Sequence, residues 1–405
     1  MTGSSFYSVE KIEGRSGGTT QAETRIYNER LIVSLVRRNG QLSKADLTRL
    51  TALAPQTITT IVNRAAEEGL LVRCEPLRGR LGQPSVPYAL NPAGAYAFGL
   101  NIDHRSADLA FVNFVGEVVE LERTNFDYPD PKEVMAFAKT GVARMLRKHK
   151  AVPGTRIAGL GIASPFYQWN WNDQAEVPAG AVRTWQEVDI RAELDRLFDW
   201  PVYLFNDAMV AAGAELMFGA GMASATFLYA YLGYFIGGGL VLDHHLFAGR
   251  NNLAGALGNL QVPAPAGTGT TGARLLEVAS LSALSQRLAG KDDGRVWSSP
   301  EDWGDLGPGL AAWIEDAAEG LAYAVQNAIA LLDIDTVIVD GAMPVGVRKE
   351  VGKAMRRRLA RSVAGRPEPF TVAEGSFGHL APVIGGASIP LLVRYSNDKE
   401  LLFKE

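Results

Sequence analysis

The sequence predicts an α/β protein: an N-terminal helical module followed by two α/β lobes with a cleft between them. Three observations carry this. Helical periodicity over residues 28–68 leads into short strand-like runs. From residue 97 onward strands give way to helices in two successive cycles. And 405 residues, 47% of them hydrophobic, are too many for one ordinary domain and enough for more than one core.

Residues 1–24, rich in Gly, Ser and Thr and without periodicity, are expected to form a loose tail. From Asn28, Leu31, Ile32, Leu35 and Val36 fall on one helical face until Asn39-Gly40 stops the helix. Ser43 then caps a short helix through Leu50, "TALA" turns, and a second helix runs from Pro55, a favoured first-turn residue, to Glu68. Ile58, Ile61, Val62 and Ala65 of this helix point inward, leaving Gln56, Thr57, Thr59, Thr60, Asn63 and Arg64 outward. Helix, short turn and helix at this spacing form a helix-turn-helix, and a polar, nearly uncharged outer face suits the edges of bases.

The following "GLLVRCEPLRGRLGQPSVPYAL" reads as a two-stranded wing with Arg78 and Arg80 at its Gly-rich tip, able to enter a minor groove. Residues 25–90 hold ten Lys or Arg against five acids in a chain of net charge −4, so a basic module joins an acidic body, which points to a polyanion partner. The bland alternative is a helical hairpin that serves only dimer packing. The single Cys74 excludes an intrachain disulfide and any multi-cysteine metal site. No apolar run reaches 18 residues and the N-terminus lacks a signal-peptide pattern, so no membrane partner and a cytoplasmic location are expected.

In the remainder, strands are expected at 97–102 and 107–114 around a turn near His104, with a third after Gly116-Glu117. A helix at 131–148, the strand "RIAGLGIASP", a helix at 189–198 and the strand "PVYLFND" complete the first cycle. The second opens at "ATFLYAYLGYFIGGGLVLDHHLFAG", read as two strands around a Gly-rich turn. Asp207, at a strand mouth before a run of small residues, suits four roles: catalytic base, reader of ligand hydroxyls, metal ligand, or helix cap.

The order of helix-turn-helix, wing, "YAFGLNID", "GLGIASP", "VRTW", "FNDAMVAAGAE", "LGYFIGGGLVLDHHLFAGRNNLAGALGN", "VIVDGA" and "VIGGASIPL" resembles a ROK-family transcriptional regulator from about residue 28 to residue 395. The family comprises repressors, sugar kinases and proteins of unassigned role. The resemblance implies a winged helix-turn-helix followed by two ribonuclease-H-like lobes of the actin/sugar-kinase type. A sugar would sit between the lobes, and a final helix (386–396) would pack back on the first.

The departures from the family pattern are informative. The kinases' Asp-x-Gly-Gly-Thr phosphate loop reads Asn101-Ile102-Asp103-His104-Arg105 here, putting side chains and a carboxylate where phosphate would lie. In the second Gly-rich loop, Gly237, Gly238 and Gly239 remain but Tyr234 and Phe235 replace a Thr and a Gly, and Asp340 stands where the kinases carry Gly near adenosine. The family's zinc motif is replaced by "GNLQVPAPAGTGTTGARLLEVAS", with Asn259 in place of a His and no thiolates. No metal, no cofactor and no catalytic residue are therefore expected, and the adjacent His244 and His245 are read as a hairpin turn. Of the family's sugar contacts, the resemblance retains Asn206, Asp207 and Glu277, while Ala256 and Asn259 replace a Glu and a His. Trp169 and Trp171, with Trp185 at a position the family places near the sugar, offer aromatic faces suited to carbohydrate.

The expected organisation is a tail (1–24), a DNA-binding module (25–90), a first lobe (91–210 with 386–396) and a second lobe (211–385). The expected function is a repressor that binds a double-stranded operator as a homodimer or dimer of dimers under the control of a sugar or sugar-derived effector. Lys44, Gln56, Thr57, Thr59, Thr60, Arg64, Arg78 and Arg80 would meet DNA, and Asn206, Asp207, Glu277, Asn259 and Trp185 the effector. The alternatives are a ligand-independent DNA-binding regulator with a decayed pocket, and a sugar kinase with Asp207 as base.

Overall fold

A computed structural model describes residues 21–76, 85–165, 181–267, 269–288, 294–360 and 370–396. The first element, α1 (Gln21–Asn39), begins inside the segment expected to be a tail, because its opening turns are solvent-facing and carry no apolar stripe to announce them. Strand β1 (Gln41–Ser43) follows. Ser43 caps α2 (Lys44–Thr51) with a reciprocal capping box: its hydroxyl accepts from the Asp46 amide, and its own amide donates to the Asp46 carboxylate, both at 3.2 Å. Ala52, in the left-handed region at φ 55°, ends the helix, and α3 (Pro55–Glu67) starts on its proline. Ile58, Ile61, Val62 and Ala65 are buried, as their spacing requires. β2 (Leu71–Arg73) and β3 (Pro87–Leu90) pair antiparallel, and β1 adds to the other side of β3. The wing tip with Arg78 and Arg80 lies outside the described residues.

The first lobe is built on β4 (Tyr96–Ile102), β5 (Ser106–Asn113) and β6 (Val118–Asn125), with α4 (Pro131–Lys148) capped by Asp130. β7 (Ile157–Ala163), α5 (Ala181–Gln186), α6 (Ile190–Asp195), shorter than expected, and β8 (Val202–Phe205) complete it. The strand order is β6-β5-β4-β7-β8, antiparallel through β4 and parallel from β4 to β8. Helix α7 (Asp207–Phe218) leads to the second lobe.

There, β9 (Phe227–Leu232), β10 (Ile236–Leu242) and β11 (His245–Phe247) are followed by the small hairpin β12 (Gln261–Pro263) and β13 (Gly272–Arg274). Helices α8 (Leu275–Ala279), α9 (Leu281–Leu288), α10 (Arg295–Ser298) and α11 (Pro308–Leu332) lead to β14 (Thr336–Gly341), α12 (Val345–Leu359) and β15 (Thr371–Glu374). The order β11-β10-β9-β14-β15, again antiparallel and then parallel, repeats the first sheet strand for strand. The two cycles seen in the sequence are thus one architecture used twice.

The last helix, α13 (Ala381–Tyr395), starts five residues earlier than expected and packs on β4, β7 and α7. Glycines set how closely. A Cβ on Gly99 would stand 2.0 Å from the Val383 carbonyl oxygen, and one on Gly161 1.9 Å from that of Gly386. The triple glycine 237–239 is corrected in the same way: it lies within β10 rather than in a turn. A Cβ on Gly239 would meet the Ala212 methyl of α7 at 2.4 Å, so the strand is glycine-rich because the helix lies directly on it. Separate apolar cores fill the outer side of each sheet. A third, continuous core runs from Ile32, Leu47 and Ile58 of the helical module through Phe114 to α7 and α13. Among the described residues no helix is long and apolar enough to cross a membrane.

Candidate functional site: the cleft between the lobes and the outer face of the module

The ends of β4 and β8, the first turn of α7 and the edge of β10 converge on a cavity of about 340 Å³ between the lobes, at the small end of the usual range for ligand sites. Its polar wall carries Asn101, Asp103, Asn206, Asp207, Asn252, Asn259 and Arg274, and its aromatic wall Tyr231, Tyr234 and Phe235. The competing roles of Asp207 can now be separated. Asn206 is the cap of α7, its side-chain oxygen accepting from the Met209 amide at 3.1 Å. The Asp207 carboxylate, one residue on, accepts from the Ala208 amide at 2.8 Å and lines the cavity. Burial, and then the charge of Asp103, push its pKa up to about 6. Burial also raises that of Asp103, although the His104 amide donates to it at 2.6 Å.

The floor of the cleft is closed by rings. His104, 4% exposed, lies at 4.0 Å from Tyr234, which in turn lies at 5.0 Å from Trp297. Burial, then Arg105, lowers the His104 pKa to about 4, so the ring is neutral at pH 7. His104 belongs to the turn between β4 and β5 and Tyr234 to the equivalent turn between β9 and β10, so this ring contact joins the lobes. Asp340, read from the sequence only as a substitution near adenosine, is fully buried at the end of β14. It is paired with Arg348 and accepts from the Tyr229 hydroxyl at 3.2 Å and the Gly378 amide at 3.1 Å. Its role here is to tie strand, helix and loop together.

Several predicted site residues lie elsewhere. Trp185 is 1% exposed in the core of the first lobe, its indole N–H donating to the Pro129 carbonyl at 2.8 Å, so it does not line the cleft. Glu277 is exposed and turned back on its own helix, accepting from the Arg274 amide at 3.0 Å and guanidinium at 2.9 Å; Arg274, not Glu277, reaches the cavity. Trp169 and Trp171 lie outside the described residues. His244 is in the β10–β11 turn at φ 63°. Among the described residues no group of three His, Cys, Asp or Glu side chains is placed to hold a metal. The residues missed, above all His104, Tyr231, Tyr234 and Arg274, sit in or beside segments whose departures from the family had been read only as losses.

On the module, Gln56, Thr60 and Asn63 of α3 are exposed and Thr57 and Thr59 half-exposed. Two predicted DNA contacts are engaged internally. Arg64 is ion-paired with Glu29 of α1 and lies 3.7 Å from Glu68, which corrects its reading as a free, base-facing cation. Lys44 donates to Asn63 at 2.7 Å and lies over the Tyr88 ring at 5.6 Å, joining α2 to α3 and the wing.

The sequence pattern of the ROK family matches residues 98–391, which spans both lobes and α13. The chain belongs to the ROK family. Among ROK relatives it is similar to the uncharacterized protein y4fQ of Sinorhizobium fredii, 23% identical over 90% of each chain. It is also similar to the xylose repressor of Caldicellulosiruptor bescii, 24% identical over 58% of each, so it spans little more than half of that protein's length. A crystal structure of a ROK transcriptional regulator, described as a homolog of the Escherichia coli Mlc protein, superposes with a TM-score of 0.62 at 18% identity, covering 93% of this chain and 99% of that one. At that identity the likeness speaks for the fold and not for the ligand.

Proposed function

We propose that this ROK protein is a DNA-binding transcriptional regulator, a repressor, whose inter-lobe cleft takes a sugar or sugar-derived effector. The observation that carries the reading is the combination in one cavity of Asn206, Asp207 and Asn259, suited to hydroxyls, with a His104–Tyr234 ring contact between the lobes. A carboxylate with a pKa near 6 is chemically fit to act as a base toward a sugar hydroxyl. The residues of the kinases' phosphate loop are replaced in this sequence at 101–105, and in this reading the use of Asp207 is recognition. For the module at residues 25–90, the polar face of α3 around Gln56, Thr57, Thr59 and Thr60, the wing and the local positive charge support docking in a major groove. A homodimer, or a dimer of dimers, would match a palindromic operator.

The test uses the full chain. Duplexes are selected from a random library, and binding is then measured with and without D-xylose, D-glucose, N-acetyl-D-mannosamine and their phosphates, alongside thermal stabilisation by the same compounds. Selection of a palindromic duplex whose affinity changes with one of the sugars supports the reading. Duplex binding with no response to any ligand favours a ligand-independent regulator, and ADP release from ATP with any sugar favours a kinase.

A further inference from the structure

One helix and one arginine link the cleft to the module. α7 begins at Asp207 in the cavity and ends at Phe218, about 17 Å away by helical rise. At that far end the guanidinium of Arg37, from the last turn of α1, lies between two rings: 4.8 Å from the centroid of Phe114 and 5.3 Å from that of Phe218. Its Nη1 donates to the Phe114 carbonyl at 2.7 Å, and its Nη2 is buried without a hydrogen-bond partner. Phe114 belongs to the β5–β6 turn of the first lobe. That turn is shaped for the contact: Gly116, at φ +87°, has no Cβ because one would stand 2.4 Å from the Phe218 ring. Next along α1, the guanidinium of Arg38 is half-buried and influenced by Asp243, in the β10–β11 turn of the second lobe.

A desolvated guanidinium with one carbonyl and two ring faces for company is a poor choice for stability, since an apolar side chain of similar size would fill the place without the desolvation penalty. It is well suited to registering relative position, because a planar cation keeps both ring faces and its carbonyl only while Phe114 and Phe218 hold their spacing. We infer that Arg37 is a positioning residue that couples the cleft to DNA, with α7 carrying a change in the lobes from Asp207 to Phe218 and α1 carrying it into the module. α1 packs directly on α3, and the Glu29–Arg64 pair ties the two together, so a displaced α1 takes the polar face of α3 with it. Lobe closure around a ligand is a discrete rearrangement of packed elements, and this junction holds the β5–β6 turn of the first lobe against the end of α7, with Asp243 of the second lobe acting on the charge of Arg38.

The inference rests on the regulatory reading above, and its test keeps the two apart. The affinity of the full chain for its selected duplex is measured with and without D-xylose and D-glucose for wild type, Arg37→Met and Arg37→Lys. Wild type is expected to change its duplex affinity by about 5- to 150-fold with the active sugar. Both variants are expected to bind duplex and to be thermally stabilised by the sugar as wild type is, yet with sugar and DNA uncoupled to within about 2-fold. A residue with only a structural role would lower stability and leave that ratio intact, so retention of the full sugar response in both variants overturns the inference. A wild type that binds duplex but answers to none of the sugars and sugar phosphates named above overturns the regulatory reading itself. Should the Arg37 variants fail to fold, Phe218→Leu removes the same contact from the α7 side, with the same expected loss of coupling.

Discussion

The two lobes share a strand order and diverge at their turns. Between β4 and β5 the first lobe places Asp103, His104 and Arg105; between β9 and β10 the second places Gly233, Tyr234 and Phe235. Their side chains meet across the cleft as a tilted His104–Tyr234 ring pair, while the helices that follow the fifth strand of each sheet, α7 and α13, are locked together by close backbone approach. The difference teaches that a duplicated scaffold can vary at its turns while its centre stays closely packed. The first lobe brings carboxylates to the remaining cavity, and the second brings amides and an arginine.

The centre is the part that should break most severely. Gly161→Ala or Gly99→Ala drives a methyl into the backbone of α13, and a loss of about 3 kcal/mol or more is expected in chemical denaturation. Gly272→Ala, whose new methyl would meet nothing nearer than 3.7 Å, should be close to neutral. A comparable effect, read as a slope, concerns Glu215 of α7, which is 0% exposed. It accepts from the Ser376 amide at 2.5 Å, the Ser376 hydroxyl at 2.9 Å and the Ala220 amide at 2.7 Å. Burial outweighs these donors and raises its pKa from 4.5 to about 7. The folded state therefore holds this proton more tightly than the unfolded chain. The resulting stability is fully present below pH 4.5 and is lost as pH rises toward 7, on the order of 3 kcal/mol. Glu215→Gln should remove that part of the pH dependence of melting, and an unchanged slope would show the carboxyl to be ionised throughout.

At the cavity the expected effects are smaller. Asp207→Asn should reduce sugar-induced stabilisation by about 1.5–3 kcal/mol while leaving duplex affinity unchanged; an unaltered response would remove Asp207 from the effector site. Smallest is the stack. A double-mutant cycle of His104→Ala and Tyr234→Ala should yield a coupling of about 0.5–1.5 kcal/mol in unfolding experiments, and a value near zero would mean that the rings are only neighbours.

Much of this was legible in the sequence, because much of it is local. The capping box at Ser43, the first-turn proline of α3, the buried face of Ile58, Ile61, Val62 and Ala65, and the cavity-facing Asn206-Asp207 at a strand end all depend on residues a few positions apart. The misreadings concern side chains whose direction is set by distant partners. Trp185 turns inward to a carbonyl 56 residues away, and Arg64 is held by Glu29 of α1, two helices earlier. Glu277 closes on its own helix end, and glycines 237–239 face α7 rather than solvent.

By itself, then, the sequence determined the elements, their order, the polar face of α3 and the family, since periodicity, capping and spacing act over a few residues. Only the tertiary structure decided which side chains share the cleft, why three glycines lie in one strand, and that Arg37 stands where both lobes meet the module. Those facts are consequences of packing between segments remote in the chain, where hydrophobicity and propensity say that a residue is buried but not against what.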